Sequence, residues 1–117
     1  MEAVARTRDI VRAEEVIGVK VIDPANENIG KIYEIVLDKV SGQVNYVVLE
    51  SGSILGLGGK FFAIPWNSIH YDTDEEAFRL NVDKQVLNDA PGFDKDNWPE
   101  FSDESCCQRI TDYYAKF

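Results

Sequence analysis

From Val16 onward, apolar and polar positions alternate with a period of two. In residues 16–22, Ile17, Val19 and Val21 are interleaved with Gly18 and Lys20, the spacing of a half-buried strand. Asp23-Pro24 predicts a turn, because proline presets the backbone angle and the aspartate can accept bonds from the residues after it. A second strand is predicted over 30–38, with Tyr33, Ile35 and Leu37 on one face and Glu34 on the other. Lys39-Val40-Ser41-Gly42 closes a hairpin in which Gly42 supplies a positive φ. The return strand, 43–50, is rich in valine and tyrosine. β-branched residues and a period of two exclude helix here and predict an antiparallel meander.

Lys60-Phe61-Phe62-Ala63-Ile64 predicts a further strand, stopped by Pro65-Trp66. Residues 69–72 and 77–82 predict another hairpin, turned by Thr73-Asp74-Glu75-Glu76. Five or six short strands at this spacing indicate a small barrel or sandwich. The pattern then changes. Asp83 is placed to cap a short helix over 84–88, which Pro91 and Gly92 end. Residues 93–101 form a loop pinned by Phe93, Trp98 and Phe101. Ser102 or Asp103 caps a last helix, on which Cys106, Ile110, Tyr113 and Phe117 make one apolar stripe. Such a stripe covers either the open side of the barrel or a second copy. Residues 1–14 read as an arm or an added strand, 15–82 as the barrel, and 83–117 as an extension.

At 117 residues the chain holds one domain. Its formal net charge of -9, densest from His70 onward, repels phosphate backbones and argues against nucleic acid as a partner. No apolar run is long enough to span a bilayer, and the first residues lack an apolar leader core, so a cytoplasmic protein is expected. Adjacent Cys106 and Cys107 have poor geometry for a structural disulfide and are expected as reduced thiols.

The candidate chemistry is thin. Gly52 to Lys60 invites comparison with a phosphate loop, but five residues separate Gly52 from Gly58, Phe61 follows Lys60, and a strand comes next where that motif needs a helix. The segment is expected to be a structural loop. Vicinal cysteines and a single histidine, His70, do not make a zinc set. Asp72 to Glu76 lacks the glycine and flanking helices of a calcium loop and reads as a solvated turn. Nothing pairs a cysteine with His70 for nucleophilic work. Catalytic residues, metal ligands and cofactor contacts are therefore all predicted to be absent.

Residues 16–82 resemble the PRC-barrel family. The resemblance is carried by Val16-Ile17-Gly18-Val19-Lys20-Val21, Asn28-Ile29-Gly30-Lys31-Ile32, Asp38 to Val44, the glycine-rich Gly52 to Lys60, Ala63-Ile64-Pro65-Trp66 and Tyr71-Asp72-Thr73. Leu87 to Pro91, Asn97-Trp98-Pro99 and Asp112-Tyr113-Tyr114 are similar to the tails of stand-alone bacterial members. Cys106-Cys107 stand where such tails lead one to expect a Trp-Gly-like pair.

The resemblance implies a mainly β fold, a six-stranded antiparallel barrel with a short C-terminal helical extension. It also implies a non-enzymatic, adaptor-like role. The partner would be another protein or a second copy, most simply in a homodimer, with peripheral association to a membrane complex compatible. Trp98, Ile110, Tyr113, Tyr114 and Phe117 are the candidate interface residues. Two alternatives come from relatives: a small-molecule or pigment module with a pocket at Trp66 and Tyr71, and a ribosome-assembly adaptor.

Overall fold

The computed structural model describes residues 10–52 and 59–117. Six strands form one sheet: β1 (Lys20–Ile22), β2 (Asn28–Leu37), β3 (Val44–Ser51), β4 (Phe61–Pro65), β5 (Ile69–Asp72) and β6 (Ala77–Leu80). Their order across the sheet is β4-β3-β2-β1-β6-β5. The two edges, β4 and β5, are consecutive in sequence and joined only by a 3-10 turn, Trp66–Ser68. In a flat sheet, six strands would hold those edges roughly 24 Å apart. Four Cα steps from Pro65 to Ile69 cover at most about 15 Å, so the sheet must curl into a barrel.

That corner also explains a departure from the expected all-antiparallel pairing. β1 and β6 are parallel, with Val21 opposite Phe78 and Ile22 opposite Arg79. Five reversals in succession would make the first and last strands antiparallel. Pro65 ends β4 without a hairpin, the chain continues into β5 in the same sense, and one reversal is lost. Asn81 fixes the corner: its backbone N–H donates to the Ser68 carbonyl (3.0 Å) and its amide to the Asn67 carbonyl (3.4 Å).

Inside the curl, Val21, Ile29, Ile32, Leu49, Phe62, Ile64 and Leu80 are almost wholly buried. β3 and β4 are buried on both faces, because Val47, Val48 and Leu49 are all inaccessible, as are Phe61 to Ile64. A strand with two buried faces needs a second layer outside it, and residues 83–117 supply that layer. α2 (Lys84–Asn88) is capped by Asp83, whose carboxylate accepts from Val86 N–H, and it buries Leu87 completely. α3 (Glu104–Ala115) is capped by Asp103 through Ser105 N–H and packs on β4. Between the helices, Phe93 and Phe61 exchange both backbone bonds at 2.9 Å, which occupies part of the β4 edge.

Of the residues read as an arm or an added strand, 10–12 are exposed and belong to no helix or strand. Residues 13–16 form a single helical turn, α1 (Ala13–Val16), with Glu15 accepting from Arg12 N–H at 2.7 Å. Gly18 and Val19 still bond to Ile32, but Gly18 turns to φ +94 after α1 and β1 begins only at Lys20, shorter than the alternation over 16–22 predicts. The glycine-rich residues 53–58 lie outside the described part, as do 1–9.

A polar clasp closes one end of the barrel. The buried Asp23 accepts from Ala25 and Glu27 N–H, both at 2.9 Å, forming the predicted turn. Arg79 donates to the Asp23 carbonyl (2.9 Å) and, by its fork, to Asp72 Oδ2 (2.7 and 3.2 Å). Lys84 reaches Glu27 at 2.9 Å. These contacts join β5, β6, the β1–β2 turn and α2.

Candidate interaction surface

The extension meets the sheet through aromatic rings. The β2–β3 register shifts between Ile32 and Glu34, leaving Tyr33 without a cross-strand partner. Bulges of this kind re-aim a side chain, and Tyr33 sits over Phe61 with ring centroids 4.7 Å apart. Phe93 and Trp98 complete the group: Trp98 lies 5.0 Å from Phe93, 5.7 Å from Phe61 and 6.0 Å from Tyr33. Phe61 is buried, whereas Trp98 keeps 38% of its surface in solvent.

The five candidate interface residues thus fall into two sets. Ile110 and Tyr114 are each only 4% exposed and belong to the chain's own core, so in this arrangement they anchor α3 and offer nothing to a partner. Trp98, Tyr113 and Phe117 are the accessible members. The Tyr113 hydroxyl donates to the Val86 carbonyl of α2, and its ring lies between Tyr114 (5.2 Å) and Phe117 (5.5 Å) with Lys116 5.6 Å from its centre. Phe117 is 64% exposed. α3 ends at Ala115, two residues before Phe117, but Lys116 keeps a right-handed helical backbone and the Phe117 ring still packs on Tyr113 one turn back. A shallow groove beside α3 is lined by Pro91, Arg109, Asp112, Tyr113 and Lys116, among others.

The residues weighed for chemistry stay apart in their bonding. His70 Nδ1, on β5, lies 3.1 Å from Oδ1 of Asn81, the residue just past β6. Cys107 donates to the Phe101 carbonyl at 3.3 Å. Both cysteines are free and partly buried, and burial pushes the Cys107 thiol up, away from the reactive thiolate. Among the described residues, no group of three or more histidine, cysteine or carboxylate side chains is placed to hold a metal. The turn after Asp72 is exposed, its shape set by Asp72 accepting from Asp74 and Glu75 N–H.

A third aromatic group went unassigned as an interface in the sequence. Trp66 and Tyr71 flank Phe78, at 6.2 and 5.2 Å between centroids. They are 41% and 48% exposed, so they edge the surface and do not line an enclosed pocket. Its signal was the alternation placing Tyr71 beside Phe78 across the β5–β6 hairpin.

A curled six-stranded sheet with one parallel pair, backed by a C-terminal helix, defines a small mainly β barrel. Its sequence matches the PRC-barrel domain over residues 8–87, and the chain belongs to that family. No curated protein matches it. Among the described residues, no helix is long and apolar enough to cross a membrane.

Proposed function

We propose that the chain is a non-enzymatic, adaptor-like protein-binding module. It works by presenting aromatic side chains of its C-terminal extension to another protein or to a second copy of itself. The observation that carries this reading is the contrast within the extension. Ile110, Tyr114 and Phe93 already fasten it to the barrel, yet Trp98 and Phe117 remain open to solvent. Fold stability does not require that exposure, and exposed aromatic anchors are the residues that dominate protein interfaces. A reducing compartment such as the cytoplasm suits the two free thiols.

Self-association is read by size exclusion with light scattering at high micromolar concentration. The expected species exceeds the 13.2 kDa of one chain, grows with salt because each copy carries -9, and reverts to monomer in Trp98→Ala/Phe117→Ala. A clean monomer at every salt concentration removes the homodimer. The heterologous part then rests on whether a partner captured by the wild-type chain is lost with the same double variant. Capture that ignores the double variant overturns it.

A further inference from the structure

β5 is an edge strand of the sheet, separate in sequence from the extension. Among the described residues, β5 pairs with β6 on one side and with no strand on the other. The Ile69 N–H turns back to the Trp66 carbonyl; beyond it, a sheet edge presents backbone donors and acceptors to which an extended segment can add. β5 is bracketed by recognition elements of two kinds. Trp66 precedes it and Tyr71 lies within it, both half-exposed and both resting on Phe78. The turn that follows holds Asp74, Glu75 and Glu76, all exposed and none in an ion pair among the described residues. Asp72 is the one carboxylate of the run already neutralised, by Arg79.

We infer that this edge takes an extended, basic segment of another protein, added as a strand to β5. Lysine or arginine side chains would meet the three uncompensated carboxylates and the faces of Trp66 and Tyr71, where aromatic rings attract cations. Charge decides against a second copy at this edge. Two copies bring -9 against -9, whereas a basic segment is steered inward by the same field. Self-association and this docking therefore have opposite salt dependences.

The test is an amide NMR titration of the full chain with a blocked five-residue peptide alternating lysine or arginine with valine. Shifts are expected on the Ile69–Asp72 amides and the Trp66 indole, weakening several-fold as salt rises through the screening range. Asp74→Lys/Glu75→Lys, which touches no buried side chain, should weaken binding about tenfold, and Tyr71→Ser should also weaken it. Trp98→Ala/Phe117→Ala should leave it intact, so failure here is separate from failure of the extension's surface. The inference is overturned by any of three results: no shifts at millimolar peptide, equal binding of a glutamate-for-lysine counterpart, or affinity indifferent to the Asp74/Glu75 and Tyr71 changes.

Discussion

The Tyr46 hydroxyl donates to the Cys107 carbonyl at 3.2 Å and lies 2.9 Å from Thr111 Oγ1, tying β3 to one turn of α3. Its ring is itself buried and packs against Phe101. Removing the hydroxyl leaves the ring in place but strips α3 of these two polar ties to β3. Tyr46→Phe is expected to cost about 1 kcal/mol, the net worth of a part-buried hydrogen bond. Thr111→Val should cost a similar amount. The two share one contact, so the double variant should lose less than the sum. Urea midpoints of the three variants check this, and strict additivity would show that the contact is not shared.

Tyr114 is the opposite case. Its hydroxyl is buried and, among the described residues, has no hydrogen-bond partner. An unpaired buried hydroxyl is a cost, so Tyr114→Phe is expected to leave stability unchanged or raise it by up to about 1 kcal/mol. Burial also pushes the Tyr114 ionisation up, further than that of Tyr46 or Tyr113, which burial raises as well. The sign follows: with the folded-state value above the unfolded one, the neutral phenol's contribution is complete below about pH 10. It is lost as pH rises beyond, because the unfolded chain then releases the proton first. Wild-type stability should fall steeply above that point, and Tyr114→Phe should fall less. If denaturant midpoints at pH 8 and pH 11 show equal losses in both proteins, Tyr114 is not the alkaline weak point.

Local signals were the readable ones. The Asp83 cap and the Lys84–Asn88 helix follow from a carboxylate at the first turn and a proline soon after, and the Asp23 turn from a carboxylate beside proline. Family membership was equally legible, since six short motifs in order carry it. The parallel β1–β6 pair was not, because it depends on whether the chain reverses at Pro65, which no residue near β1 records. α1 was missed for another reason: four residues with none buried have no apolar period to read. Within the extension, helical spacing selected Phe117 with Ile110, but only a structure shows that the helix has ended two residues earlier. Tyr33 escaped notice as a platform residue because a bulge, invisible to a strict period of two, turns its ring toward Phe61.

Gly30 marks where the barrel tolerates least. It sits in β2 opposite Ser51, with φ +152, and a Cβ built there would lie 2.2 Å from the Glu50 carbonyl oxygen and 2.9 Å from a Leu49 methyl. The first clash is with backbone, which moves only if the β2–β3 ladder moves. Gly30→Ala therefore adds overpacking to a backbone conformation that side chains disfavour, and a loss of about 2–4 kcal/mol is expected. Gly42 provides the control, having positive φ in the hairpin but open space around its missing Cβ. Gly42→Ala carries the conformational cost alone and should lose about 1 kcal/mol. Thermal or urea unfolding separates the two. Equal losses would mean that the β2–β3 approach at Gly30 relaxes freely, and that the ladder there is not the rigid seam of the barrel.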